Sequence, residues 1–452
     1  MKLNLEDEKI SKLLWQLSVP AILAMLSGAI FNLVDRIYVG KISSYALTAV
    51  GITMPIQIIQ MAFVLLIGIG TSALISIKLG EGKIKEAEDI LYLALKYIII
   101  FLLVFSIIFM ALMDQILDWL NISHDVLPYA KDYIAIVIVG SIIGIPGYCL
   151  NNSLRSIGQA KLSMKIIVIT SIMNIILDPI FIFVFKLGIA GAAIATVISQ
   201  TTLTIYVIVI FIRRKDLIIG LKFRKVSNEG QLLKESLKMG LPSFNVQILA
   251  SVVNLFINNS LLRYGSDFDV AAMTIISSIY SFYHMVITGL VQGNNAICGY
   301  NWGAERYGRV KKSLELALAY SFIISLLLLM VILIFPQLLV RAFTDELPLI
   351  KATSEGIRLY LCMLPLIGLH TISSQYFQVV GYIKRSNVLA FLRYGIIIVP
   401  SVYVLAPNLG VMGVYLSNAL SDGIASIIAL VYIVYELNKL KKLEQSLTDH
   451  HT

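Results

Sequence analysis

Apolar residues run along this chain in long unbroken stretches, separated by short clusters of charged and small polar residues. Such stretches fit neither the two-residue alternation of a half-buried strand nor the narrow stripe of a surface helix. They predict helices that are apolar on every side. Crossing the hydrocarbon of a bilayer takes about 20 such residues. The sequence supplies twelve runs, near 14–39, 47–77, 91–113, 132–154, 162–185, 189–212, 239–262, 269–299, 313–335, 355–380, 386–405 and 409–436. The connections between them are too short to hold a soluble domain. The expected fold is an all-α integral membrane protein of twelve transmembrane helices.

The second half of the chain echoes the first at an offset of about 222 residues. Pro20 falls opposite Pro242, Gly70 opposite Gly293, Ala73 opposite Ala296 and Gly80 opposite Gly303. Further on, Gly158 and Lys161 face Gly381 and Lys384, while Gly188 and Gly191 face Gly410 and Gly413. Each half carries six spans, an even number, so both enter the membrane in the same sense. Two six-helix lobes, 1–222 and 223–452, are expected, related by a pseudo-two-fold axis along the membrane normal. Lobes facing across a cleft suit alternating access better than a passive channel.

Composition agrees with this reading and charge orients it. Of 452 residues, 58% are hydrophobic and 14% charged, with a mean hydropathy of +0.85; soluble domains carry about 25% charged residues. The net charge of +9 invites a nucleic-acid reading, but the cations are placed by topology. Of 36 lysines and arginines, 26 lie in the terminal segments and alternate connections and 6 in the other set. The positive-inside rule puts both termini in the cytoplasm of a cell-membrane protein. Nucleic acid is not an expected partner. The densest cluster, Arg213 to Lys238, reads as a cytoplasmic linker with a secondary attraction to anionic lipid. The first run, Leu13 to Val39, is too long for a signal-peptide core and should stay as a helix. Cys149, Cys298 and Cys362 sit in apolar runs without metal spacing and are expected as buried free thiols. No H-E-x-x-H, G-x-S-x-G or G-x-x-x-x-G-K motif points to an enzyme, a cofactor or a resident metal.

The candidate chemistry lies in polar groups within the spans, where charge is costly and marks pathways or coupling sites. Asp35 and Asp178 both fall in the outer half of the bilayer. Asn174 precedes Asp178 by four residues and shares its helical face, and Thr196 on the next span lies at a similar depth. The repeat sharpens the point, because Asp35 falls opposite Ile257 or Asn258 and Asp178 opposite Val399. The scaffold is duplicated but these acids are not, which favours ion coupling over architecture. The competing structural reading gives Asp178 the backbone groups freed by Pro179 and tethers Asp35 near Arg36. A buried carboxylate can take up and release a proton; carboxylates with Asn and Thr oxygens can also hold Na+. Both ions stay open.

Other groups are secondary. Asn151 and Asn152 divide evenly between a site network and interhelical hydrogen bonding. Gln200 and Asp422 occupy equivalent places in the two repeats, and Asp422 is the clear mid-span acid of the second half. His284 and His370 are lone histidines that read as packed residues rather than relays. Pro20 is a candidate hinge, with a static kink as the plainer alternative.

These residues resemble a known family. The stretches VPAILAMLSGAIFNLVDRIYVG (19–40), NNSLRSIGQAK (151–161), NIILDPIFIF (174–183) and LGIAGAAIATVISQ (187–200) are similar to helix 1, the end of helix 4, helix 5 and helix 6 of multidrug and toxic compound extrusion (MATE) transporters. NIILDP is the most specific of them. The resemblance is to the bacterial DinF-like branch, and it implies a cation site at Asp35, Asn151, Asn174, Asp178 and Thr196, with helix-1 bending at Pro20. It raises Asn151 above Asn152. The NorM-like branch carries acids in helices 7 and 10, where this chain has Asn245, Gln247, His370 and Gln375. The resemblance implies a monomeric secondary antiporter that exports amphipathic, often cationic drugs or metabolites in exchange for H+ or Na+, with no cofactor and with membrane lipids as surroundings. Within the same superfamily, a lipid-linked oligosaccharide flippase is the alternative; it would draw on Arg36, Arg358 and Arg393.

Overall fold

The structure, a computed structural model, describes residues 8–120 and 122–449. Among the described residues every regular element is a helix. Among the described residues eleven helices are long and apolar enough to cross a membrane, and a bent pair brings the number to twelve when counted as one span. All twelve coincide with the apolar runs of the sequence, so the protein is an all-α, multi-pass membrane protein. With no water in the bilayer core, a helix is the form that satisfies its own backbone groups within one segment.

The chain divides into two compact units. Of the described residues, one holds Leu23–Gly240, and the other holds those up to Ile22 and from Leu241 onward. The first unit takes the later part of α1 (Ile10–Gly40), followed by α2 (Ser44–Gly80), α3 (Ile84–Ala111) and the short α4 (Met113–Trp119). Next come α5 (Leu127–Gly144), α6 (Pro146–Ser156), α7 (Ala160–Pro179) and α8 (Gly188–Arg213). Ser43 starts α2 by accepting the Ala46 N–H at 3.0 Å, which satisfies one donor of the first turn. The break between α5 and α6 falls at Pro146, whose missing N–H cannot continue the helix. After Pro179 the chain widens into one π-helical turn, Ile180–Val184, closed by Phe185 N–H to the Ile180 carbonyl at 2.9 Å.

The second unit contains most of α9 (Glu229–Tyr264), then α10 (Asp267–Gly303), α11 (Tyr307–Ile334) and the short α12 (Pro336–Val340). α13 (Leu347–Tyr360) and α14 (Leu364–Val379) form one span bent by 51°, at a break that Pro365 enforces. Cys362 falls in that break and is only half-buried, whereas Cys149 and Cys298 are buried; all three are free thiols. α15 (Ile383–Phe391) passes through a second π-helical turn, Leu392–Ile396, into α16 (Ile398–Leu409), and α17 (Val411–Asp449) ends the described chain.

Repeated glycines mark repeated demands. Gly158 and Gly381 both adopt left-handed backbone, with φ of +79° and +86°, a region that L side chains avoid. Gly70 and Gly293 mark close helix crossings. A Cβ on Gly70 would lie 2.0 Å from the Ser236 carbonyl oxygen of α9, and one on Gly293 would lie 2.2 Å from Ser18 Oγ of α1. The opening turns of α1 therefore pack inside the second unit and those of α9 inside the first. Pro20 lies within α1, which runs through it unbroken, two residues before Ile22.

Candidate functional site

Three helices of the first unit deliver polar groups to one level. Asp35 lies five residues before the end of α1, Asp178 at the end of α7 next to its π-helical turn, and Thr196 just over two turns into α8. Asp178 is fully buried, and Asn174 and Asp35 are 2% and 9% exposed. The i,i+4 spacing works as the sequence suggests: Asn174 Nδ2 reaches Asp178 Oδ1 at 3.3 Å and Thr196 Oγ1 at 3.4 Å. Both bonds are long for N–H···O contacts, which centre near 2.9–3.0 Å. Asp35 and Asp178 lie within electrostatic reach of each other.

The site contains too few donors for its acceptors. Asp35 Oδ1, Asn174 Oδ1 and Asp178 Oδ2 are all buried without a hydrogen-bond partner. Leaving such an atom unpaired costs about 1–3 kcal/mol, and more when it is charged. Three together, two of them carboxylate oxygens, form a place that a cation or a proton would stabilise. One turn further along α1 and α7, Val39 and Ile182 join a buried apolar cluster with Val126, Ala130 and Ile189. Tyr133 of α5, buried in that cluster, sits against Gln57 of α2 and within electrostatic reach of both acids. Neither Tyr133 nor Gln57 stands out in the sequence. The available signal is weak: each is a hydrogen-bonding side chain in an otherwise apolar span.

Of the other candidates of this unit, Asn151 and Asn152 lie elsewhere. Asn151 is buried on α6, where its Nδ2 donates to Ser163 Oγ at 2.8 Å. Ser163 is eleven residues before Asn174 on α7, roughly 16 Å along the axis, so Asn151 does not touch the acid cluster. Asn152 accepts a hydrogen bond from Arg155. Gln200 lines a small cavity with Asn174 and Thr196.

The second unit meets the same problem differently. Asn418 and Asp422 on α17 repeat the spacing of Asn174 and Asp178, and Asn418 Nδ2 donates to Asp422 Oδ2 at 3.0 Å. Arg393, held in the π-helical turn before α16, donates from Nε to Asp422 Oδ1 at 2.7 Å and from Nη2 to the Tyr280 hydroxyl at 2.9 Å. Arginine and aspartate are 6% and 2% exposed. The Asp422 carboxylate is thus already neutralised from within the protein. His370 packs with Nε2 3.2 Å from the Leu389 carbonyl, and His284 Nδ1 lies 3.3 Å from Thr288 Oγ1.

Comparison with known proteins places these observations in a family. The family model described as MatE matches residues 20–180 and again 242–404, the two halves of the repeat. The chain is 26% identical over 447 residues to the Multidrug export protein MepA of Staphylococcus haemolyticus, covering 98% of each protein. It is 25% identical over 434 residues to MepA of Staphylococcus aureus strain MSSA476, covering 96% of this chain and 95% of that protein. Among solved structures, an outward-facing multidrug resistance MATE family transporter of the MOP superfamily superposes with a TM-score of 0.91 at 24% identity, covering 96% of this chain and 97% of the other. The Vibrio cholerae MATE transporter VcmN superposes with a TM-score of 0.88 at 24% identity, covering 95% and 97%.

Proposed function

The chain belongs to the MatE family, and on that premise we propose that it is a secondary active antiporter exporting amphipathic, often cationic drugs or metabolites in exchange for H+ or Na+. The family consists of transporters, not enzymes. The observation that carries the coupling half of the proposal is the set of buried, partnerless oxygens on Asp35, Asn174 and Asp178. A cation bound there offsets their desolvation, and its loss restores two buried negative charges, so the unit has two states of different electrostatic energy. Substrate export supplies the other half, by analogy with the multidrug exporters the chain resembles along its whole length.

In this reading residues 1–222 and 223–452 form lobes that alternate access in the cytoplasmic membrane, with both termini cytoplasmic, Pro20 as the bending point of α1 and the protein acting as a monomer. Asp35, Asn174, Asp178 and Thr196 hold the ion, while Asn151 acts at a distance. Moving one charge down the membrane potential releases about 2.3 kcal/mol per 100 mV, enough for one or two ions to drive a modest uphill export. Of the three cations that the flippase alternative would draw on, Arg393 is already bound to Asp422, which favours the antiport reading.

The test is export of a fluorescent cationic dye from reconstituted vesicles under an imposed proton gradient and, separately, a sodium gradient. One of the two drives export if the proposal holds. Inert gradients across a broad panel of amphipathic cations contradict it.

A further inference from the structure

In the second unit the last turns of α9 and the middle of α16 border a cavity of about 120 Å³, far more than the roughly 10–15 Å³ that one water needs. Its lining is graded in polarity along α9. Arg263 and Tyr264, the final residues of that helix, form the rim. Asn259 and Ser260 lie one turn further in, and Phe256 one turn beyond them, beside Val402 and Tyr403 of α16. At ~1.5 Å per residue, Phe256 is about 12 Å from the end of α9 and Tyr403 about 9 Å from the end of α16. α9 starts at the linker between the halves and crosses once, so the rim lies on the membrane face opposite the linker. The pocket therefore runs from the level of the lipid headgroups into the first part of the hydrocarbon.

Arg263 is a cation without a fixed counter-charge. Its guanidinium lies 5.5 Å from the centre of the Tyr264 ring and pairs with no carboxylate among the described residues. Asp269 is already spent on the Ser266 N–H and hydroxyl, both at 2.8 Å. One turn in, Ser260 Oγ donates to the Phe256 carbonyl at 2.8 Å, so the donor left at that level is the exposed amide of Asn259. Deeper still, the Phe256 and Tyr403 rings meet at 5.5 Å, and Tyr403 is 64% exposed, which leaves this end open to an apolar chain.

We propose that this pocket binds one phospholipid. The phosphodiester sits on the Arg263 guanidinium, whose planar fork matches two phosphate oxygens. A glycerol ester carbonyl accepts from Asn259 Nδ2, and the start of an acyl chain lies along Phe256, Val402 and Tyr403. Cation, amide donor and aromatic floor follow one another in the order in which a phospholipid presents phosphate, ester and chain. A cationic substrate has the wrong charge for the rim, and free phosphate has nothing to place on the floor. In the orientation proposed above, the lipid belongs to the outer leaflet.

The test is native mass spectrometry of the purified full-length protein titrated with phosphatidylglycerol, with diacylglycerol of the same chains, and with inorganic phosphate. One phosphatidylglycerol is expected to bind in preference to the other two. Arg263→Gln should weaken it about tenfold or more and Asn259→Leu about threefold, with the melting temperature of the lipid-free protein unchanged. If Arg263→Gln lowers that melting temperature, Arg263→Lys, which keeps the charge but loses the fork, takes its place with a loss of a few-fold. Phosphatidylglycerol held as tightly by these variants as by wild type, or diacylglycerol held as tightly as phosphatidylglycerol, overturns the site and leaves unselective lipid contact. Inorganic phosphate that binds as well as the lipid also overturns it, reducing the pocket to a plain anion site. Each of these outcomes leaves ion-coupled export untouched.

Discussion

Two asparagine–aspartate pairs at the same i,i+4 spacing, Asn174–Asp178 on α7 and Asn418–Asp422 on α17, sit in opposite electrostatic situations. Both aspartates are buried and both accept from their own asparagine. Asp422 also receives Arg393 at 2.7 Å, whereas Asp178 has Asp35 as its charged neighbour and an oxygen with no partner. One unit carries its cation covalently, as an arginine side chain. The other leaves buried oxygens without a partner, where the proposed antiport would have an ion come and go. A buried acid is therefore not by itself a coupling site; what distinguishes the two is whether the fold supplies a permanent counter-charge.

The largest effect should come from removing the open acid. Asp178→Asn keeps shape and volume but ends cation exchange, so gradient-driven dye export is expected to fall by at least about tenfold, the equivalent of about 1.4 kcal/mol, while the protein still folds. Export at the wild-type rate would erase the distinction between the pairs. In the second unit the damage should fall on stability. Arg393→Met leaves Asp422 buried and uncompensated, at a cost of about 3–5 kcal/mol, read as a lowered melting temperature. Adding Asp422→Asn should recover most of it, because the neutral pair no longer buries a charge; a double variant as unstable as the single one would show that the ion pair is not the issue. The smallest effect sharpens the ligand set. Thr196→Val should weaken cation dependence by a few-fold, in line with about 0.5–1.5 kcal/mol for one hydrogen-bonding group, and Thr196→Ser should restore it. Equal behaviour of the two variants in a cation titration of export would remove Thr196 from the site.

The sequence makes the spans legible because membrane helices are set by run length and apolarity, which are local. Breaks inside them are harder to see. Pro146 and Pro365 do interrupt their helices, whereas α1 and α9 run straight through Pro20 and Pro242, because surrounding packing decides whether a missing hydrogen bond bends the chain. Asp35, Asn174, Asp178 and Thr196 were readable as charge in an apolar run plus helical spacing. Asn151 was an even candidate beside Asn152 until the family resemblance raised it, and the helix geometry sets it well away from the acids. The Arg393–Asp422 pair joins residues 29 apart on different spans, a contact that no local pattern encodes. The trace it leaves is two opposite charges in successive apolar runs.

The most direct measurement is the release of cations from purified protein when substrate binds, compared between wild type, Asp178→Asn and the double variant Arg393→Met with Asp422→Asn. Wild type and the double variant should release a proton or sodium ion, and Asp178→Asn should release none. Release that survives in Asp178→Asn but disappears in the double variant would put ion exchange in the second unit and contradict the account.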